Sequence, residues 1–180
     1  YMGETDCKRQ KQNVSRMKAL GAKVHAVKSG KATLKEAVNE AMRDYATNFE
    51  NTNYCLGSAL GPHPYPKLVA HFQKIIGLEI QDDCKKLNIK PDYLIAPVGG
   101  GSNAIGMFLP FLKDTSIKMI GVEAGGSATK PKEQPGKHAS RFNGGSPGIL
   151  HGSLSYLLQN QDGQIQPTES ISAGLDYPSV

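Results

Sequence analysis

An α/β fold with mainly parallel sheets is what this sequence predicts, from three observations. Helical and strand-like periods alternate on both sides of a proline-rich connector. Residues 93–98 are apolar without alternation, as expected of a parallel strand covered on both faces. That run passes directly into Gly99, Gly100 and Gly101 and then into another helical stripe, the pattern of a strand, glycine loop, helix, strand unit.

Tyr1, Met2 and Gly3 read as the tail of a strand. Cys7, Val14, Met17 and Leu20 recur on one face at helical spacing, and Gly21 follows as a stop, which predicts one short amphipathic helix. Residues 22–27 hold two valines and read as a strand, turned by Ser29 and Gly30. Thr33 and Glu36 fit a capping box, in which each side chain satisfies a free amide at a helix start. The stripe Leu34, Ala37, Val38, Ala41, Met42, Tyr45 and Phe49 then defines a helix of four turns.

Residues 54–58 suit a further short strand. The three prolines between Gly61 and Pro66 forbid helix or ladder there and make a rigid connector. Pro66 suits the first position of a helix whose buried face would be Leu68, Val69, Phe72, Ile75, Ile76 and Ile80. After the glycine loop, Ala104, Ile105, Phe108, Leu109 and Leu112 mark a helix, and residues 117–123 the next strand. Residues 125–152 are rich in Gly, Pro, Ser and Lys and read as a long surface loop without elements. No internal repeat is present.

The 180 residues suffice for one substantial domain or two small ones, with 38% hydrophobic and 21% charged residues, an ordinary globular composition. No apolar run approaches the roughly 18 residues of a membrane span, and residues 1–10 lack a signal-peptide core, so a cytoplasmic protein is expected. Cys7, Cys55 and Cys84 form no CxxC pair, which argues against a disulfide framework and structural zinc. The net charge of +5 is spread along the chain without interleaved aromatics, so no nucleic-acid partner is expected. Both ends lack a finished element, as in an excerpt from a longer protein.

The glycine loop carries the chemistry. Three successive glycines between a buried strand and a helix let backbone amides approach an anion and point at it together, and phosphate is the obvious ligand. Ser102 and Asn103 add side-chain donors. Each charge-assisted hydrogen bond is worth about 1.5 to 3 kcal/mol against roughly 0.3 to 1 kcal/mol for the helix dipole, so the donors make the site. A tight turn would explain an isolated glycine triplet equally well. A sharper rival is a nicotinamide-dinucleotide fingerprint, GxGxxA at Gly99, Gly101 and Ala104, with Glu123 to hold a ribose hydroxyl. Against it, Ser102 and Asn103 suit a terminal phosphate better than a pyrophosphate. A non-catalytic interaction module is a third reading. No P-loop and no metal-binding histidine motif occurs; His25, His63, His71, His138 and His151 are scattered, and His63 in the connector is read as structural.

Taken together, YMG, ATLKEAVNEAMRD, LGSALGPHPYP, VGGGSNAIGMF, IGVEAGG and SAGLDYPSV resemble the tryptophan synthase beta-subunit family, in family order along the whole chain. The resemblance implies two three-layer α/β/α domains, present only in part, in a fold-type II pyridoxal-phosphate enzyme. It implies replacement of the hydroxyl of L-serine by indole to give L-tryptophan and water, with pyridoxal phosphate as electron sink. The cofactor phosphate would lie on Gly99, Gly100, Gly101, Ser102 and Asn103. A monovalent cation, Na+ or K+, would sit on the carbonyls of Gly99, Tyr177 and Ser179. Residues 1–57 would be a mobile communication part, 58–72 the connector and helix start, and 73–180 part of the cofactor-phosphate-binding domain.

By the same resemblance Arg9 pairs with Asp176 in a closed state, Leu56 lines the indole pocket, and Lys35 touches an alpha subunit. A homodimer is implied as well. Leu150 and His151 stand where some relatives have two aromatics along an indole tunnel. The family's Schiff-base lysine and proton-transfer glutamate would lie before Tyr1, and the serine on the pyridine nitrogen after Val180. The 180 residues alone are therefore expected to be inactive.

Overall fold

The computed structural model describes residues 1–180. Its fold is mixed α/β, with two parallel strand pairs and one antiparallel hairpin. In the N-terminal part, β1 (Met2–Gly3) pairs parallel with β2 (Ala26–Val27), in the register Met2 to Ala26 and Gly3 to Val27. Two helices connect them, α1 (Glu4–Arg9) and α2 (Lys11–Ala19). The single helix expected across residues 7–20 breaks at Gln10, whose φ of −119° and ψ of 41° leave the helical region. No residue of α2 is buried and Leu20 is 87% exposed, so no covered apolar face holds the two pieces in line. The expected strand over 22–27 shortens to two residues because its partner β1 offers only two.

The helix α3 (Leu34–Thr47) starts as the capping box requires. Glu36 Oε2 accepts from the Thr33 amide at 3.3 Å and from the Thr33 hydroxyl at 3.2 Å. Glu36 is buried and its other oxygen pairs with Lys35 Nζ at 2.8 Å. Phe49 lies past the helix end and is exposed. Residues 54–58 form no strand; no ladder partner runs beside them.

The helix expected after the connector is two helices, α4 (Tyr65–Gln73) and α5 (Ile75–Leu87), offset at Lys74. Pro66 sits within the first turn of α4. Of the face expected to be buried, Val69 is covered, but Leu68, Phe72 and Ile75 are exposed. The reason is close packing through small residues. A Cβ on Gly77 would lie 2.5 Å from Met107 O, and one on Gly106 would run into Gln73 O. The surfaces facing one another are thus the small ones, Ala70 and Gly77, and the bulky residues point away.

The strands β3 (Tyr93–Pro97) and β4 (Lys118–Val122) pair in parallel from Tyr93 with Lys118 to Pro97 with Val122. Between them run the helix α6 (Ser102–Phe108) and a 3₁₀ turn at Leu109–Phe111. Leu94, Phe111 and Ile117 form one core cluster, and Ala96, Val98 and Ala104 a second beneath the glycine loop. The other face of β3 is open, with Ile95 58% exposed, so the continuous apolar run is covered on one face only.

Residues 125–152 are less irregular than expected. A short helix α7 (Arg141–Gly144) precedes β5 (Ser146–Leu150), which pairs antiparallel with β6 (Ser153–Leu157). Their two-residue loop is His151 and Gly152, with φ of 48° and 77°, the signature of a type I′ turn. The last residues close on β6: Tyr156 and Val180 exchange backbone hydrogen bonds of 3.1 Å, and the Leu158 amide donates to Pro178 O at 2.9 Å. No helix is long and apolar enough to cross a membrane.

Candidate functional site: a glycine cradle at the floor of a cleft

A cleft of about 720 Å³ opens between the two parts of the chain. One wall is the apolar stripe of α3, from Leu34 to Tyr45. The glycine loop, Ser102, Asn103 and residues of the C-terminal segment form the opposite side. Leu56 lies on the lining, half-buried. His151 also faces the cleft, whereas Leu150 does not line it.

Each loop glycine has its own reason to lack a side chain. A Cβ on Gly99 would lie 2.6 Å from Gly174 O, one on Gly100 would collide with Ser58 Oγ, and Gly101 has φ of 88°, a left-handed conformation. None of the amides from Gly99 to Ala104 donates to any backbone or side-chain acceptor; the first to do so is Ile105, to Gly101 O at 2.9 Å. The side chains of Ser102 and Asn103 add donors at the same place, and neither has a protein partner. A run of unsatisfied donors on a loop stripped of side chains fits a phosphate monoester.

Arg9 and Asp176 are brought together. Arg9 Nη2 lies 3.1 Å from Asp176 Oδ2, and its Nη1 donates to Ser170 O at 2.9 Å. The same guanidinium also grips buried Asp6. Burial lowers the Arg9 pKa, but the bonds to Asp6 and Asp176 outweigh it and leave it raised. Thr168 Oγ1 donates to the second Asp176 oxygen at 2.7 Å.

His151 joins three segments. Its Nε2 is 2.7 Å from Asn39 Oδ1 in α3, and its Nδ1 meets the Tyr177 hydroxyl. Asn39 Oδ1 can only accept, so Nε2 carries the proton and Nδ1 accepts from Tyr177. Burial lowers the His151 pKa from 6.5 to about 4; Lys35 adds to the shift and Glu36 opposes it. Burial also raises the Tyr177 pKa, so the hydroxyl keeps its proton. Lys35 is thus more than a free surface charge: its side chain is 32% exposed and engaged with Glu36.

Two of the three carbonyls assigned to a monovalent cation are engaged by a side chain. Those of Gly99 and Tyr177 point at the fully buried guanidinium of Arg141, at 2.6 Å and 3.4 Å. Ser179 is buried, and its hydroxyl pairs with Ser155 at 2.7 Å. Glu123 is also committed. Its two oxygens accept the amides of Arg141 and Phe142 at 2.8 and 3.0 Å, and Arg141 Nε lies 3.2 Å away, ion-paired but outside hydrogen-bond geometry. Its side chain is only 6% exposed and serves the start of α7, which counts against the ribose-binding acid of the dinucleotide reading. Sequence reasoning missed Arg141, Ser58 and Asn39. Arg141 is one more basic residue in a glycine-rich stretch, and only its long-range partners reveal it.

Comparison with known proteins places this geometry in a family. The chain is 55% identical over 181 residues to a tryptophan synthase beta chain of Allorhizobium ampelinum, a match covering 100% of this chain and 44% of that relative. The chain therefore spans less than half the length of the relative it matches. A family model described as "Pyridoxal-phosphate dependent enzyme" matches residues 2–151, from β1 through the glycine cradle to the hairpin turn. Unsatisfied amides at the cleft floor are what a cofactor phosphate needs, and with that match the chain belongs to the pyridoxal-phosphate dependent enzymes.

Proposed function

We propose that residues Gly99 to Asn103 hold the phosphate of pyridoxal phosphate, and that the natural full-length protein joins L-serine to indole, giving L-tryptophan and water. The observation that carries the reading is the run of unpartnered amides from Gly99 to Ala104 on a loop where added side chains would collide. The relative's name supplies the reaction class. When bound, pyridoxal phosphate supplies an electron sink for chemistry at the amino-acid α-carbon.

The chain's own residues bind, orient and exclude water. The cradle fixes one end of the cofactor, and the apolar wall of α3 with Leu56 offers a dry surface to a flat aromatic co-substrate. Arg9 and Asp176 pair when the cleft is closed, and the pair parts when residues 1–57 move away from residues 73–180 about the connector 58–72. The neutral imidazole of His151 ties α3 to Tyr177 without adding charge to the cleft. The exposed third of Lys35 is the point offered to an alpha-type partner, and a second copy of the chain completes the assembly.

The test uses the protein at its natural length. It should retain pyridoxal phosphate through dialysis, with the visible absorption of the bound cofactor, and form tryptophan from serine and indole. A colourless protein without that activity overturns the reading.

A further inference from the structure

We propose that Arg141 is a built-in monovalent cation, its guanidinium taking the place that the family resemblance assigns to Na+ or K+. Arg141 has no solvent exposure, although a guanidinium is charged at any physiological pH. Its Nη2 donates to Val98 O at 2.7 Å and Gly99 O at 2.6 Å. Its Nη1 donates to Tyr177 O at 3.4 Å and to Ala139 O. The four Nη protons thus meet four carbonyls, and Nε faces the Glu123 carboxylate. These oxygens come from the residue after β3, the glycine loop, an isolated bridge residue before α7 and the C-terminal segment.

Converging backbone carbonyls around a single positive charge are how proteins replace the hydration shell of an alkali metal. Here the charge is covalently attached and planar. Gly99 O and Tyr177 O, two of the three oxygens assigned to the metal, are the ones it engages. A metal ion placed among the same oxygens would face a like charge within a few ångströms and would have to displace hydrogen bonds. The arginine therefore locks the base of the phosphate cradle to Tyr177 permanently, and the protein needs no dissolved cation for that purpose.

The inference stands on the carbonyl geometry and is tested without the cofactor, so it fails or holds independently of the pyridoxal-phosphate reading. Thermal unfolding of the natural-length protein, stripped of cofactor, is followed in KCl, NaCl, CsCl and tetramethylammonium chloride at equal ionic strength. The wild type is expected to unfold within about 2 °C in all four, whereas Arg141→Ala in tetramethylammonium unfolds about 5 °C lower or more. Added K+ or guanidinium then raises the variant's midpoint saturably, by filling the vacated carbonyl ring. Saturable, size-selective stabilisation of the wild type by one alkali cation overturns the proposal. So does an Arg141→Ala protein as stable as the wild type. If Arg141→Ala cannot be obtained folded, the wild-type series decides alone.

Discussion

At the scale of single residues, the loop glycines fail for different reasons when changed, and the difference can be measured. Gly100→Ala drives a methyl into Ser58 Oγ, which accepts from the Leu60 amide at 3.3 Å. We expect about a tenfold loss of pyridoxal-phosphate affinity, roughly 1.4 kcal/mol, measured by equilibrium titration of the natural-length protein. Ser58→Gly in the same chain should recover most of it. Gly101→Ala meets no neighbouring atom, so its cost is the left-handed backbone alone, about 1 to 2 kcal/mol, and no second-site change near Ser58 should relieve it. Equal rescue of both variants would refute the assignment. His151 gives a pH signature. Its folded pKa of about 4 lies below the ordinary 6.5, so the unfolded chain binds the proton first. Stability is full above pH 6.5 and is lost as pH falls toward 4, by on the order of 2 kcal/mol after allowing for solvent screening. Nearby Lys35 and Glu36 stay in place in His151→Asn, which tolerates the positive φ and should flatten that part of the stability–pH curve. An unchanged slope in the variant would assign the proton to another group.

At the scale of elements, local signals succeeded where a segment decides its own conformation. The capping box and stripe of α3, and the run from β3 through the glycines into α6, carry their instructions within a few residues. The hairpin of β5 and β6 hid because its turn is His-Gly rather than Asn-Gly, although the alternation from Ser153 to Leu157 has the period of a strand. The cradle was legible as glycines, but the locking guanidinium was not, because Arg141 meets Val98 from 43 residues away. Exposure of Leu68, Phe72 and Ile75 was equally hidden, since an apolar stripe reveals a face without naming what covers it. Gly77 shows how packing overrides propensity. In an open helix, Gly→Ala would stabilise by up to about 1 kcal/mol. Here the new Cβ would sit 2.5 Å from Met107 O and 2.8 Å from Pro110, so Gly77→Ala should destabilise by about 1 to 3 kcal/mol. The midpoint of denaturant unfolding reads the sign directly, and a gain in stability would show that α5 and α6 are not in close contact.

At the scale of the whole molecule, the two parts of the chain are joined across the cleft by a few polar latches. Arg9 reaches Asp176 and Ser170 O, Lys31 reaches Thr168 O at 3.3 Å, and Asn39 reaches His151. Only the last of these touches α3, yet α3 forms the cleft wall. If residues 1–57 open as one body, a single event breaks all the latches, and removing any of them raises the population of the open form. If each latch guards only its own neighbourhood, the loss of Arg9 is felt in α1 and the C-terminal segment alone. The carboxylates that Arg9 holds are buried, so Arg9→Ala leaves Asp6 and Asp176 without their shared cation and should cost about 2 to 3 kcal/mol. Hydrogen exchange separates the two cases. With cooperative opening, Arg9→Ala speeds exchange of the amides from Val38 to Met42 at least about tenfold, although Arg9 touches no residue of α3. His151→Asn multiplies that effect in the double variant, because both changes act on one equilibrium and their contacts are separate. Unchanged protection in α3 with faster exchange confined to α1 would mean that the latches are independent, and that closing this cleft is not one motion.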